Sequence, residues 1–133
     1  MLTRRSFLQG LGLLALWPFV RFETERKPIK SVRLLEDYIA GFQYHEGMKL
    51  EILSTLDARD ELVLVREPQN RYDENAIKIT TRTGHKLGYI PRGEAEFLAP
   101  LMDQSVQTQT QIVEIGLDAK PWERVLVEVR QIL

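Results

Sequence analysis

The sequence has no cysteine in 133 residues. This excludes disulfide bonds, zinc sites built on thiolates, and thiol catalysis. Histidine is almost as scarce, because His45 and His85 are the only two, and neither has a second ligand at helical or zinc-finger spacing. A glycine-rich phosphate-binding loop with its lysine is also missing, so the sequence offers no site for ATP-driven activity. We therefore expect no cofactor.

A strong excess of positive charge is absent too, and the charges present are unevenly distributed. Residues 1–30 contain six Lys and Arg against two Glu, whereas residues 31–133 contain twelve basic and seventeen acidic side chains. Affinity for nucleic acid without sequence preference comes from cationic groups that displace counterions. The acidic body is therefore a poor general polyanion binder, and any contact with nucleic acid must be made at a local site.

No apolar run reaches the ~20 residues of a membrane-spanning helix. The run at residues 7–20 is interrupted by Gly10 and Gly12 and has the length of a signal-peptide core. It overlaps the stretch TRRSFLQ, which resembles the bacterial twin-arginine export signal. The residues that carry this resemblance are Arg4, Arg5, Phe7 and Leu8, with Thr3 and Gln9 beside them.

The predicted organisation is an export signal or anchor at residues 1–22, a charged linker at 23–30 and one folded domain at 31–133. No small-x-small cleavage site follows the apolar run, so the segment can stay attached as an anchor. We expect a periplasmic protein, or one anchored to the inner membrane from its periplasmic side, with the twin-arginine export machinery as a partner. A buried or amphipathic N-terminal helix on a cytoplasmic protein is the alternative.

Residues 31–133 consist mostly of short segments in which apolar residues alternate or cluster, a pattern that predicts β-strands. These segments are 31–45, 49–56, 61–67, 76–82, 86–90, 108–117 and 124–132. In the third segment either Leu62 and Leu64 or Val63 and Val65 face inward. Ile77 and Ile79 share one face of the fourth, and Gly84 supplies the positive φ of a tight hairpin after it.

Residues 92–104 carry apolar side chains at helical spacing, which predicts a helix. The residues with this spacing are Ala95, Leu98, Ala99 and Met102. Pro100 lies inside the segment and is expected to bend or shorten the helix. About six strands with one or two short helices predict a mainly β fold, either a strongly curved sheet or a small, partly closed barrel.

The connection PQNRYDEN, residues 68–75, is unusually polar for a link between two strands. Pro68 stops the preceding strand from donating a ladder hydrogen bond. Asn70, Asp73 and Asn75 are residues that close Asx turns or cap neighbouring amides, and Tyr72 offers a flat ring and a hydroxyl. One interpretation is a long structured turn in which these side chains satisfy only their own backbone.

The stretch LVREPQNRYDENAIKI, followed by GHKLGYIPRGEAEFLAPLMD, resembles the HIRAN domain. This module occurs in certain DNA-repair helicase-like translocases and as a stand-alone bacterial protein. The resemblance covers about residues 38–129, and its most specific part is N-x-Y-D-x-N-A-I at residues 70–77. The element LGYIP at residues 87–91 is an independent match. The resemblance implies a modified β-barrel of the oligonucleotide-binding (OB) type, and we expect a monomer.

HIRAN domains of the eukaryotic translocases capture the 3′ end of single-stranded DNA, and the resemblance implies this role for the matching positions. Tyr72 would stack on or wedge against the terminal base. Asp73 would accept a hydrogen bond from the free 3′-hydroxyl. Asn70 and Asn75 would shape the pocket and bond base or phosphate, and Ile77 would line it.

Three more positions complete the site that the resemblance implies. Tyr44, expected on the first strand, would add a second aromatic face, Arg92 would meet phosphate, and Trp122 would supply a late aromatic. Two positions depart from the eukaryotic pattern: Gln43 stands where a phosphate-binding arginine is expected, and His45 replaces a second tyrosine. Packing aromatics of the barrel are the alternative interpretation of Tyr44 and Trp122.

The predicted function is therefore a non-catalytic module that binds the 3′-hydroxyl end of single-stranded DNA. An exported or membrane-tethered envelope domain, with a non-DNA ligand or a protein partner in the same pocket, is the alternative. A metal-dependent nuclease, with Asp73, Glu74 and His45 around a divalent cation, is a third hypothesis.

The export prediction is tested by replacing Arg4 and Arg5 together with lysine, which keeps the charge and removes the arginine pair. We expect the wild-type protein in the periplasmic or membrane fraction and the double variant in the cytoplasm, measured by cell fractionation and immunodetection. Lysine at both Arg21 and Arg26, outside the motif, is the matched control. Wild-type protein in the cytoplasm would contradict the prediction.

Overall fold

The computed structural model describes residues 30–133, and the predicted export signal, Arg4, Arg5, Phe7 and Leu8 included, lies outside the described residues. Six strands carry the fold: β1 (Ser31–Tyr38), β2 (Glu61–Arg66), β3 (Ile77–Thr81), β4 (Lys86–Tyr89), β5 (Thr108–Ile115) and β6 (Val125–Ile132). The helices are α1 (Leu50–Leu53) and α2 (Arg92–Asp103), with 3-10 turns at Phe42–Tyr44, Glu46–Met48 and Pro121–Glu123. Within residues 30–133, neither helix has the length and apolar character to cross a bilayer.

The alternating segments form the predicted strands, and their inward faces build the core. Ile77 and Ile79 of β3 are completely buried, and the alternating valines of β6 are buried in the same way. On β2 it is Leu62 that faces inward, while Val63 is 41% exposed. The mainly β prediction is therefore confirmed, and the hairpin after β3 has Gly84 at φ 99° as expected.

Two expected strand segments differ in the structure. The first strand ends at Tyr38, because Gly41 adopts a left-handed conformation at φ 72° and turns the chain into a 3-10 turn. Residues 49–56 were expected to be extended, but Leu50–Leu53 form the single turn of α1. Leu53 and Leu56 both pack against the core from this segment, at a three-residue spacing that a helical turn places on one face and a strand would place on opposite faces.

The helix predicted from residues 92–104 is present as α2. Ala95, Leu98 and Ala99 are buried against the sheet, as their spacing predicts. The helix continues for three residues beyond Pro100, so the expectation that the proline shortens it is wrong. Pro100 lies on the exposed side of α2, where solvent can hydrogen-bond the carbonyl group that the proline leaves without a donor.

The six strands form one antiparallel sheet in the order β1-β6-β5-β2-β3-β4. Register shifts within the β1–β6, β3–β4 and β5–β6 pairs bend and twist the strands, which curves the sheet. The two ends of the curved sheet meet at Ala40 and Tyr89, whose backbones exchange hydrogen bonds of 2.8 and 3.0 Å. The curved sheet therefore closes on itself as a small barrel of the predicted OB-like kind.

This closure requires a glycine at position 88. Gly88 has a φ of 150°, a conformation that side chains rarely adopt. A Cβ atom at this position would overlap the carbonyl oxygen of Ala40 and lie 2.5 Å from Cγ2 of Ile39. The close approach of the two chains at the closure therefore excludes any side chain here.

We expect Gly88→Ala to lower the free energy of unfolding by about 3 kcal/mol or more, since backbone strain of about 1–3 kcal/mol adds to the clash. Gly84→Ala is the matched control, because Gly84 also has a positive φ but has no atom within 4 Å of an added Cβ. The control should lose only about 1 kcal/mol. Urea unfolding with an unchanged m-value measures both, and equal losses would contradict the steric argument.

A pair of carboxyl groups joins β1 to α2. Protonated Glu94, in the first turn of α2, shares a hydrogen bond with Asp37, near the end of β1. Burial, followed by this hydrogen bond and the charge of Asp37, raises the pKa of Glu94 from 4.5 to about 7. The folded state therefore holds a proton that the unfolded chain releases at lower pH.

Because the pKa of Glu94 is higher in the folded state, the contribution of this group to the free energy of unfolding is greatest below pH 4.5. That contribution declines as the pH rises to about 7. Glu94→Gln removes the ionisation. We expect this variant to match the wild type near pH 4 and to melt a few degrees higher at pH 8, since ~1 kcal/mol corresponds to ~4–8 °C. Glu96→Gln, on the exposed side of α2, is the control, and identical melting profiles for wild type and Glu94→Gln would refute the account.

Candidate functional site

The polar loop between β2 and β3 is held in shape by its own side chains. Oδ1 of Asn70 accepts the backbone N–H groups of Tyr72 and Asp73 at 2.9 and 3.1 Å. Oδ1 of Asp73 in turn accepts the N–H of Asn75 at 2.9 Å. These contacts are Asx turns. The interpretation in which the side chains satisfy their own backbone is therefore correct for Asn70 and for one oxygen of Asp73.

Glu67 connects the loop to strand β4. Its Oε1 accepts hydrogen bonds from Nδ2 of Asn70 at 3.0 Å and from the hydroxyl of Tyr89 at 2.8 Å. Lys78 Nζ lies 3.7 Å from the other carboxylate oxygen. Burial opposes ionisation of Glu67, but these hydrogen bonds and the nearby Lys78 and Lys86 outweigh it and lower the pKa of Glu67. The loop is therefore fixed to β4 through an ionised carboxylate.

A second tie fixes the far end of the loop. Arg66 donates from Nη1 to the carbonyl of Ala76 at 2.8 Å and forms a two-point salt bridge with Asp103 at 2.9 and 3.1 Å. The Arg66 side chain is only 14% exposed. The last residue of the loop is thus held against the C-terminal end of α2 by a planar, charge-assisted contact.

The fixed loop presents two groups without a full set of partners. Tyr72 is 80% exposed, and only the guanidinium group of Arg71 lies over its ring, at 5.7 Å. Oδ2 of Asp73 accepts no hydrogen bond from residues 30–133, and Nε of Arg92 lies 3.8 Å from it. The Asp73 side chain is 19% exposed. The loop therefore offers an aromatic face beside an ionised acceptor.

Beside these groups is a pocket of about 330 Å³. One wall comes from the loop and α2, and the opposite wall comes from β4 and from the chain that follows β1. The lining residues are Ala40, His45, Asn70, Tyr72, Asp73, Ala76, Lys86, Tyr89, Ile90 and Arg92. Aromatic rings and short apolar side chains form most of the interior, which suits a planar ligand with a few polar groups.

The lining residues that can form polar or aromatic contacts include three that were not predicted to bind the DNA end: His45, Lys86 and Tyr89. The His45 ring meets the Tyr89 ring edge-on, with 6.0 Å between the centroids. Burial, and then the charge of Lys86, lower the pKa of His45 against the opposing effect of Glu46. The imidazole is therefore uncharged at neutral pH. The element LGYIP contained Tyr89, but only the closed barrel places its ring opposite the loop.

Tyr44 and Trp122 lie outside the core. Their exposed fractions are 78% and 53%, so the interpretation as packing aromatics is wrong for both. Tyr44 lies on the 3-10 turn at Phe42–Tyr44, not on the first strand, and this turn packs against the one that carries Trp122. Lys120 Nζ lies 5.7 Å from the centre of the Trp122 ring. Neither aromatic residue lines the pocket.

Three other residues that the sequence analysis singled out, Ile77, Asn75 and Gln43, lie outside the pocket. Ile77 is completely buried in the core, so it supports the pocket from behind and does not line it. Asn75 does not line this pocket but a neighbouring polar depression of about 450 Å³, which Asn70, Tyr72, Asp73 and Arg92 line as well. The side-chain oxygen of Gln43 is buried and accepts no hydrogen bond within residues 30–133, so it offers no surface contact.

A larger cleft of about 570 Å³ lies elsewhere, around the start of β2 and the β3–β4 hairpin. Glu61, one of its charged residues, already accepts hydrogen bonds from Arg82 and Gln109 at 3.1 and 2.9 Å. The cleft has no tyrosine, tryptophan or phenylalanine for stacking. The smaller pocket beside the loop is therefore the better candidate site. The part of the chain that the structure describes contains no group of three or more metal-binding side chains, which removes the nuclease arrangement around Asp73 and His45.

Comparison with known proteins gives a consistent result. The HIRAN domain model matches residues 32–131. Helicase-like transcription factor from Oryctolagus cuniculus is 30% identical over 97 residues, which make up 71% of this chain and 9% of that protein. Fanconi-associated nuclease 1 homolog from Arabidopsis thaliana is 31% identical over 81 residues, covering 60% of this chain and 9% of that protein. The chain thus spans less than a tenth of these relatives.

Two solved structures share the fold. A Lactobacillus plantarum protein superposes with a TM-score of 0.67 at 27% identity, covering 78% of this chain and 97% of that one. The HIRAN domain of human HLTF superposes with a TM-score of 0.61 at 24% identity, covering 76% and 78%. The resemblance first noted at residues 70–77 is therefore confirmed over most of the domain, and this chain belongs to the HIRAN domain family.

Proposed function

We propose that this protein is a non-catalytic binding module for the 3′-hydroxyl end of single-stranded DNA. The family supports a nucleic-acid ligand, since the HIRAN domain of human HLTF has been solved in a DNA-bound conformation. The observation that carries the proposal is that Oδ2 of Asp73 accepts no hydrogen bond within residues 30–133, while Asp73 lines the same pocket as the rings of Tyr72 and Tyr89.

The geometry accounts for selection of an end. A free 3′-hydroxyl donates to the Asp73 carboxylate, and a hydrogen bond to a charged group contributes about 1.5–3 kcal/mol. A 3′-phosphate would bring a negative charge against the same carboxylate, so repulsion rejects it. Stacking of the terminal base on Tyr72 adds about 1–3 kcal/mol whatever the base. An end-binding pocket therefore needs few cations, which fits a domain with an acidic body.

We infer binding without catalysis for this chain, because the pocket beside the loop supplies groups that recognise a ligand, namely the rings of Tyr72 and Tyr89 and the carboxylate of Asp73. The nuclease and helicase-like relatives are more than ten times longer than the part that matches, so their activities do not transfer to this chain. The TRRSFLQ stretch supports action outside the cytoplasm, where extracellular or incoming DNA would supply the ends.

Asp73→Asn tests the proposed hydroxyl contact. Asparagine keeps an oxygen for the Asx turn with Asn75 and removes the negative charge. We expect affinity for a 3′-hydroxyl oligonucleotide to fall about tenfold and affinity for the 3′-phosphate form to rise. Fluorescence anisotropy with both oligonucleotides measures the ratio. Glu74→Gln is the matched control, since its carboxylate is exposed and does not line the pocket.

Tyr72→Ala separates stacking from end selection in the same assay. Loss of the ring should weaken binding of both oligonucleotides by about ten- to a hundredfold and leave their ratio unchanged. The exposed position of Tyr72 means that this change should not affect folding. Equal binding of the two end groups by the wild-type protein, or no binding of either, would overturn the proposed function.

A further inference from the structure

Lys86 is the pocket residue whose role remains open after the loop, the aromatic rings and Asp73 have been assigned. It begins β4 and lines the wall opposite the loop. Its Nζ donates a hydrogen bond to the Tyr89 hydroxyl at 3.0 Å and lies 4.6 Å from the centre of the Tyr89 ring. Because the Tyr89 hydroxyl is itself bonded to Glu67, the ammonium group is held in a defined position.

The charge of Lys86 has no direct counterion. Among residues 30–133, no carboxylate oxygen lies within 4.0 Å of its Nζ. Two nearby cations differ: Lys78 lies 3.7 Å from Glu67, and Arg92 lies 3.8 Å from Asp73. Glu67 is near enough for the charge of Lys86 to help lower its pKa, but the Tyr89 hydroxyl lies between the two groups, and the Glu67 oxygens already bind Asn70 and Lys78. A positive charge that lines a pocket without a carboxylate in direct contact is a site for an anionic group of the ligand.

The other groups in the pocket indicate which anionic group this is. Asp73 excludes a phosphate at its own wall and accepts a hydroxyl. His45 is uncharged at neutral pH, so it supplies a ring and no competing charge. Arg92 is 74% exposed and faces Asp73, which makes it a weak phosphate site inside the pocket. The pocket therefore has an acceptor and a ring from the loop, and a ring and a cation from β4.

The 3′-terminal nucleotide has the complementary arrangement, with a hydroxyl on one side of its sugar and the linking phosphate on the other. We propose that Lys86 binds the phosphate that links this nucleotide to the rest of the strand. The recognised unit is then one nucleotide with its 5′-phosphate, not a terminal nucleoside alone. This inference rests on the proposed function, and it assigns a specificity-determining residue to the same pocket.

The test uses 3′-hydroxyl oligonucleotides that carry either a normal or a neutral methylphosphonate group at the last linkage. Wild-type protein should bind the methylphosphonate form about five- to tenfold more weakly, with a salt dependence whose slope is smaller by about 0.7. Lys86→Gln should bind both forms equally, at the weaker level. Lys86→Arg keeps the charge and should preserve the preference for the normal linkage.

Lys30→Gln is the matched control for net charge, since Lys30 precedes β1 and lies outside the pocket, so this variant should behave like the wild type. Urea unfolding of each variant separates a folding defect from a lost contact. A Lys86→Gln protein that folds normally and still prefers the normal linkage would overturn the assignment of Lys86. A wild-type preference for the 3′-hydroxyl over the 3′-phosphate would persist in that case, so the two proposals fail separately. Absence of binding by the wild type would overturn both.

Discussion

Two backbone hydrogen bonds between Ala40 and Tyr89 hold the site together, although neither residue belongs to the loop that gives the family its most specific motif. They join the two ends of the curved sheet and thereby place β4 opposite the β2–β3 loop. The Tyr89 hydroxyl can then reach Glu67, which in turn holds Asn70. Closure of the barrel therefore also forms the pocket. The chains can approach closely enough for this closure because Gly88 has no side chain.

Much of the fold was readable from local pattern. Apolar residues at every second position identified β3 and β6, because one buried face imposes that period. Residues 49–56 were misassigned because a short apolar segment fits a strand or a helical turn equally well. The position of Tyr44 was missed for a different reason: Gly41 adopts a left-handed conformation that composition alone does not reveal.

Only the part of the candidate site that the β2–β3 loop forms was predictable from the sequence. Asn70 and Asp73 were expected to close Asx turns, since their side chains reach amides two or three residues along the chain. The opposite wall depends on a contact between residues 40 and 89, and no local pattern encodes so distant a pairing. In the sequence, Tyr89 and Lys86 therefore look like ordinary strand residues, and only the closed barrel places them in the pocket. Ile77 is the opposite case: it was predicted to line the pocket because it belongs to the motif, but its side chain is buried in the core.

Several carboxylates of the acidic domain already bind cations of the same domain. Glu61 is paired with Arg82, Asp103 with Arg66, and Glu128 with arginines of the neighbouring strand and of its own. The negative charge that matters for a ligand is thus that of the loop, where Asp73 uses one oxygen internally and leaves one free. Net charge is a poor guide to binding when the recognition surface is a single pocket.

The complete use of the Asn70 carboxamide has a further consequence for the thermodynamics of association. Its oxygen accepts two amides and its nitrogen binds Glu67, so the loop is ordered before any ligand arrives. A ligand that enters such a pocket does not have to immobilise the protein backbone, and the conformational entropy that ordering a flexible loop would cost has already been spent during folding. A ligand should then bind to a pocket that already has its bound conformation. Ligands should differ mainly in their dissociation rate constants.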